Sequence, residues 1–526
     1  MWALKSPHRF LTAVFVALLA IAAITTASAD DHAQRRLATS LGDAPSLRLQ
    51  FTLKRDSMKI YGQSQFYVFA NPVVSSDNTS VLYDGYAAFM DGSTDYTLSL
   101  VNGIASQSAQ CLSSSLLPPI NSIVSALNGA TAIAGASAGN DTITCATGDL
   151  FQATLGDATF VICSAGSDGF TIYGSDLDIS VEYLDSPVAI TAPTLSGDAA
   201  LSCETVVTPT TVTPTTLALL TGEAVSSSSS RKLKAEATTT LASSSCSCKS
   251  TPRPCIFFHG LGSDTEETTL QTTSSYFGDL TDSAPCCTSI QYAVLNTVDY
   301  AWTDATLQQK VCNFAISVSS TSSSSSKTIA DTIVVTHSMG GLMMAGAIAN
   351  SRCSLASSST WVSLSAPMTG SMGADYLQNA CSGSNVFLEA IANLIGECPA
   401  STAVVGLSYE DETYSTSALN TAYVAAQSAF RSNVDAAICS DNYSGLLSVY
   451  QAEYILAGEV IPHKSSENDG VVEYQSCAGG LSTSKFGTYD DTYYLTGLNH
   501  IDTTFRNGDA LIVNSQKPVK WFECLL

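Results

Sequence analysis

Positive charge is scarce in this chain. Only 22 Lys and Arg stand against 46 Asp and Glu, giving a formal charge of −24. A surface of that sign repels nucleic acid and an anionic bilayer alike, and mainly keeps a chain in solution. Charges of either sign make up only 13% of residues. Ser and Thr are abundant instead, which suits a secreted, glycosylatable chain better than a cytosolic one. After residue 29 no apolar stretch is long enough to span a bilayer, and the terminal "KWFECLL" is no lipid-anchor signal. Zinc-type Cys-x-x-Cys pairs are missing too: Cys246-Ser-Cys248 and Cys286-Cys287 are too closely spaced for a finger. Histidine is rare, with six in all and none between 33 and 258, so any histidine chemistry has few candidates.

What is present begins with a leader. Lys5, His8 and Arg9 precede an apolar run from Phe10 to Ile24, and Ala27-Ser28-Ala29 is a small-residue cleavage site, so residues 1–29 read as a removed signal peptide. Sixteen cysteines agree with an oxidising, extracellular destination. Cys111, Cys145, Cys163 and Cys203 lie before residue 204 and the other twelve after 245. Even numbers on both sides imply disulfides closed within two separate units. The sequons at Asn78, Asn140 and Asn442 are glycan acceptors by pattern.

The pattern along the chain divides it in the same places. Residues 30–203 form a β-rich N-terminal domain in which "LRLQFTLK", "SQFYVFA", "ATFVICS" and "DISVEYL" alternate like strands between turn residues. The stretch "LPPINSIVSALNGATAIAGA" in its middle is more helical. No cluster of His, Cys or carboxylates gives this half a site, and its role is unassigned. Residues 204–250, with "TVVTPTTVTPTT", "SSSSSRKLK" and "SSSCSC", read as an extended linker that buries too little to offset its ordering entropy. From 251 to 526 short apolar strands alternate with helices. Candidate strands are Cys255–Phe258, Ile290–Leu295, Thr332–Val335, Trp361–Leu364, Tyr454–Ala457 and Tyr493–Leu495. Leu307, Val311, Phe314 and Ala315 share a helical face behind Asp304, a good N-cap. That alternation predicts an α/β fold, with a mostly parallel sheet covered by helices on both faces. About eighty residues separate "WVSLS" from "YILAG", more than a crossover needs. They predict a helical cap over about 372–450, in which Phe387, Leu388, Ile391, Leu394 and Ile395 follow Asn385 on one face.

The stretch "IVVTHSMGGLMM" carries the chemistry. An apolar strand runs into Ser338, and two glycines open an apolar helix behind it, as in a strand-to-helix turn that exposes a nucleophilic hydroxyl. Thr336 stands where the common G-x-S-x-G form has its first glycine. His337 is expected to point away from the chemistry. A second stretch, "CIFFHGLGSD", ends a strand in a glycine-flanked loop. The N–H groups of Leu261 and Met339 would then form the oxyanion hole, while His259 is assigned a structural role. His463 and His500 remain as bases. The chain order Ser, acid, His favours His500, in "LTGLNHID". The acid expected to orient it is Asp469, in "SSENDGVV", with Glu467 as near competitor.

Taken together, "FFHGLG", "VVTHSMGG", "VSLSAPMTGS", "NDGVV" and "LNHID" resemble the α/β-hydrolase superfamily, particularly secreted lipases and esterases and the related GPI inositol-deacylases. The match spans about half of the chain, and Met368-Thr369-Gly370 departs from it where many such lipases have a His before the glycine. The resemblance implies a serine carboxylic-ester hydrolase acting on an acyl ester or lipid, with no metal or cofactor; the leader and the hydropathy add the expectation of a secreted chain with no transmembrane anchor. A serine peptidase or an acyltransferase would share the machinery. A non-catalytic binding or adhesion protein on the same scaffold is the alternative from another class. No feature specifies an oligomeric state.

Overall fold

The computed structural model describes residues 40–526, apart from 61, 92–93, 108–109, 113–121, 146–148, 157, 193–202, 204, 224–236, 384–390 and 447. The leader, the basic "RKLK" and the predicted helix start at Asn385, Phe387 and Leu388 lie outside the described residues.

A seven-stranded sheet is built from β1 (Arg253–Phe258), β2 (Cys287–Ala293), β3 (Ile333–His337), β4 (Thr360–Leu364), β5 (Ala436–Ser440), β6 (Phe486–Gly487) and β7 (Tyr493–Thr496). Its order is β2-β1-β3-β4-β5-β7-β6, and every pairing is parallel. Parallel strands need covering on both faces. Accordingly, Ile256, Phe258 and Val334 enter one apolar cluster, while Cys255, Phe257, Ile333 and Val335 enter another. The first cluster is closed by α1 (Ala305–Ser317), α2 (Met339–Ala349) and α4 (Ser417–Asn433), with part of α3 (Met372–Cys381). Asp304 caps α1, its Oδ1 accepting from the N–H groups of Thr306 and Leu307 at 2.8 and 2.9 Å. The second face is closed by Phe277 and by Trp521 and Phe522 of the last helix.

Two expectations change here. "YILAG" is not a strand but part of α5 (Gln451–Val460), and the strand of that region is "AAICS" at Ala436–Ser440. A short apolar run fits either state, and the small alanines of β5 hide it behind the helix that precedes it. The predicted cap of 372–450 therefore shrinks. Its most helical stretch, α4, is the crossover into β5 and buries Tyr423, Ala426 and Phe430 in the core of α2. Among the described residues of 372–416 there remain α3 and two short helices, Ala392–Ile395 and Thr402–Val405, with the Cys381–Cys398 disulfide between them. Leu377, Ile391, Ile395, Ala403 and Val404 are buried in the same core.

The N-terminal half forms a twelve-stranded sheet whose described pairings are antiparallel. Ser46–Leu53, Gln65–Val74, Ala158–Ser164 and Leu177–Leu184 fall where alternation predicts them. Along the last, Leu177, Ile179, Val181 and Tyr183 are buried in alternation. The central stretch read as helical gives one helix, Ser122–Asn128, and then strands Thr131–Ile133 and Gly135–Ala138. The described parts of 204–250 also hold more regular structure than composition implies. Thr210–Thr211 pairs with Ser80–Asp91, and Thr238–Leu241 runs parallel to Gly135–Ala138. Pro214–Thr221 is a helix that buries Leu219 and Leu220. Its proline occupies the first helical position, where no N–H is missed. Seven disulfides join described cysteines, including Cys145–Cys163 within the antiparallel half and Cys246–Cys524 and Cys248–Cys286 at the start of the parallel half.

The final helix, α6 (Pro518–Leu525), docks against the antiparallel half through buried ions. Lys517 and Lys520 reach Asp176 at 2.6 and 2.7 Å, and Glu523 reaches Arg55 at 2.7 Å. Burial pushes the Asp176 carboxyl up, but the two ammonium groups outweigh it and hold it below its ordinary 3.8. A depressed acid contributes stability that is complete above its unfolded pKa and is lost as pH falls below 3.8. Asp176→Asn should leave two buried lysines unpaired and destabilise the chain by about 3–5 kcal/mol in denaturant unfolding at pH 7. It should also weaken the acid-side fall in stability. Glu182→Gln, which removes the half-exposed partner of Arg48, should cost about 0–1 kcal/mol.

Candidate active site

Ser338 follows β3, the strand between β1 and β4, at the point where the chain turns into α2. Its backbone has φ 55° and ψ −130°, a left-handed position that costs a non-glycine residue about 1–3 kcal/mol. The turn is held by the Ser338 N–H on the Leu364 carbonyl at 2.8 Å and by the Gly341 N–H on the Ser338 carbonyl at 2.9 Å. The two glycines allow α2 to pass close beneath. A Cβ on Gly340 would meet the Phe258 and His259 carbonyl oxygens at 2.7 and 2.8 Å, and one on Gly341 would meet the Ala366 Cβ at 2.4 Å. Thr336 needs no glycine because its hydroxyl has a use: it accepts the Trp361 indole N–H at 2.9 Å.

Ser338 Oγ lies 2.9 Å from His500 Nε2, and His500 Nδ1 lies 2.6 Å from Asp469 Oδ2. A carboxylate only accepts, so Nδ1 carries the hydrogen and Nε2 is left free to receive the serine proton. Asp469 is buried. Its other oxygen accepts the N–H groups of Val471 and Val472 at 3.0 and 2.7 Å, and its carbonyl accepts the His500 N–H at 2.9 Å. The acid is thus fixed by its own turn and bonded twice to the base. The competitors are elsewhere. Glu467 is exposed, and His463 Nδ1 bonds Glu473 at 2.8 Å. That pair closes the loop from which Asp469 projects, since Glu473 also bridges to Asn468.

The loop after β1 presses on the serine. A Cβ on Gly260 would come within 2.6 Å of the Ser338 Cβ, so only glycine fits there. Among the described residues, the N–H groups of Leu261 and Met339 have no intramolecular acceptor. Such donors beside a nucleophilic oxygen can bind negative charge as it develops on a substrate carbonyl. His259 is structural in its contacts: Nδ1 bonds the Gly260 carbonyl at 2.8 Å and Nε2 the Leu295 N–H at 3.0 Å. Burial holds its pKa low. Among the described residues no three His, Cys, Asp or Glu side chains assemble as metal ligands would.

His337 is turned from the serine hydroxyl but is not idle. Its Nε2 bonds the His500 carbonyl at 3.0 Å and its Nδ1 the Tyr276 hydroxyl at 2.7 Å. Tyr276 has no sequence signal, because "TTSSYFGDL" reads as an ordinary loop and its partners are remote in the chain. A cavity of about 1510 Å³ lies between the two halves, with Leu49, Phe51, Val68, Phe89, Leu446 and Phe505 in its walls. Neither Ser338 nor Asp469 nor His500 lines it, so it is separate from this site.

No protein-family model and no curated protein matches the chain. Solved structures do. The mature form of the Bacillus licheniformis lipase BlEst2 is similar at 14% identity, over 50% of this chain and 89% of that one, with a TM-score of 0.33. Lipase 1 from Pelosinus fermentans is similar at 13% identity, over 52% of this chain and 97% of that one, with a TM-score of 0.29. The Staphylococcus hyicus lipase follows at 12% identity, 53% and 95% coverage and a TM-score of 0.27. At these values the likenesses carry nothing about chemistry, which rests on the hydrogen bonds above.

The packing beneath Ser338 can be tested directly. Gly340→Ala drives a methyl group into two backbone carbonyls, which cannot move as a side-chain tip can. It should destabilise the chain by about 1–3 kcal/mol, read by denaturant unfolding.

Proposed function

We propose that this protein is a secreted serine carboxylic-ester hydrolase of the α/β-hydrolase type, acting on acyl esters through an acyl-enzyme on Ser338. The observation that carries this reading is the continuous chain from the Ser338 hydroxyl through His500 to Asp469, with links of 2.9 and 2.6 Å at a strained strand-to-helix turn. In the reaction, Ser338 Oγ attacks the ester carbonyl carbon as its proton passes to His500 Nε2. The Leu261 and Met339 N–H groups hold the carbonyl oxygen as it becomes negative. Collapse of the adduct breaks the acyl C–O bond, and the alcohol leaves with the proton from His500. Water, deprotonated by the same nitrogen, then attacks the acyl carbon; the bond to Ser338 Oγ breaks, the acid leaves and His500 returns the proton to the serine. Asp469 keeps the hydrogen on Nδ1 and stabilises the imidazolium. The catalytic domain is proposed as 251–526, joined by residues 204–250 to the N-terminal domain 30–203. The disulfides support secretion.

Ser338→Ala should abolish ester hydrolysis and labelling by a fluorophosphonate while circular dichroism stays unchanged. His500→Ala should lower turnover by roughly 10³-fold or more, and Asp469→Asn should approach that loss through the wrong tautomer. Glu467→Gln and His463→Ala should remain within several-fold of the parent; a larger loss in His463→Ala than in His500→Ala would move the base. A peptidase would cleave the matching amides as well as esters, and an acyltransferase would prefer an added alcohol to water.

The lipid part of the reading has its own test. Turnover of p-nitrophenyl esters should rise from acetyl to medium or long acyl chains. If acetyl esters are the best substrates, the function contracts to a short-chain esterase.

A further inference from the structure

Three groups outside the triad form a continuous relay behind it. The Tyr276 hydroxyl lies 3.1 Å from the Gly260 N–H and 2.7 Å from His337 Nδ1, and His337 Nε2 lies 3.0 Å from the His500 carbonyl. The direction of every hydrogen bond follows from chemistry. The His500 carbonyl only accepts, so His337 carries its hydrogen on Nε2. His337 is fully buried, and burial followed by the nearby His500 holds its pKa well below the usual imidazole value. It is therefore neutral, its Nδ1 is an acceptor, and the Tyr276 hydroxyl must donate to it. The phenol oxygen is then left to accept from Gly260.

The two ends of this relay are the two parts that must agree in a serine hydrolase. Gly260 precedes Leu261 on the oxyanion side and packs against Ser338, and the His500 carbonyl belongs to the base itself. The parts between are closely packed. The Tyr276 ring packs on Phe277 and His337 at 5.1 and 5.4 Å between centroids. The Arg506 guanidinium stacks over it at 5.9 Å and donates to its carbonyl at 2.9 Å. Thr503 donates to the same His500 carbonyl at 2.8 Å.

We propose that Tyr276 is a positioning residue that, acting through His337, fixes the oxyanion loop and the base loop at one spacing across Ser338. It touches no reacting atom. Its hydroxyl is the only group of the relay bonded to both the Gly260 loop and the elbow histidine. The inference rests on the ester-hydrolase reading, and its effect belongs to the tetrahedral state rather than to substrate binding.

The test compares Tyr276→Phe with the full-length parent and with Tyr450→Phe, a second tyrosine stacked on Arg506 at 5.6 Å. Tyr276→Phe should lose about 10- to 100-fold in kcat/KM, the scale set by small misplacements of catalytic groups, with KM within twofold. Inhibition by an alkyl boronic acid, which forms a tetrahedral adduct on Ser338, should weaken in the same proportion. Affinity for uncleaved ester, measured in the Ser338→Ala background, should not change, and Tyr450→Phe should behave as the parent. His337→Asn should show a similar loss, and the double variant should lose no more than the larger single change, because both break one relay. This second variant also decides the matter if Tyr276→Phe does not fold. A kcat/KM within twofold of the parent, or equal weakening of ester and boronate binding, would overturn the proposal. A parent protein inert to fluorophosphonate would remove the hydrolase reading itself; a reactive parent with an unaffected Tyr276→Phe removes only the relay.

Discussion

The close passage of α2 beneath the end of β3 is the contact on which the site depends. Ser338 can hold a positive φ because Gly340 lets the helix backbone lie against the Phe258 and His259 carbonyls. That same contact brings the loop after β1 up to the serine, leaving no room for a Cβ on Gly260. One close backbone approach therefore sets both the backbone strain at Ser338 and the position of the Gly260 loop beside it. The strain at Ser338 persists because the fully apolar α2 is buried between α1 and α4 and cannot relax.

The other components are delivered by loops, each braced by bonds that do no chemistry themselves. Asp469 is pinned by two backbone N–H groups of its own turn, and the buried His463–Glu473 pair closes that turn from outside. His500 is held from its amide by Asp469 and from its carbonyl by His337 and Thr503. Polar groups this deeply buried must be satisfied or they cost folding free energy. The bonding that satisfies them also fixes where the imidazole points.

The two halves of the chain meet at the last helix. Asp176 faces Lys517 and Lys520, Arg55 faces Glu523 and Asp509, and Cys246 is linked to Cys524. A buried ionic contact of this kind is a weak source of net stability but is costly to break on one side. The antiparallel half therefore bears on the same C-terminal helix whose Trp521 and Phe522 close the second face of the parallel sheet.

Much of this was legible in the sequence because it rests on local rules. Strand alternation, the Asp304 cap, the glycines around Ser338 and the scarcity of histidine pointed to an α/β sheet and to Ser338, Asp469 and His500, all of which the fold brings together. Where local rules are silent, the reading failed. "YILAG" was expected as a strand and is helical, while the strand "AAICS" was not singled out, because short apolar runs have no period of their own and pairing partners decide their state. The cap shrank because α4 has an ordinary amphipathic pattern, and only packing on α2 reveals it as a crossover. The linker gained structure from neighbours distant in the chain. Tyr276, Arg55 and Asp176 carry no motif at all. Their roles come from partners between 16 and 468 positions away, and a residue can be matched to such a partner only after the chain has closed on itself.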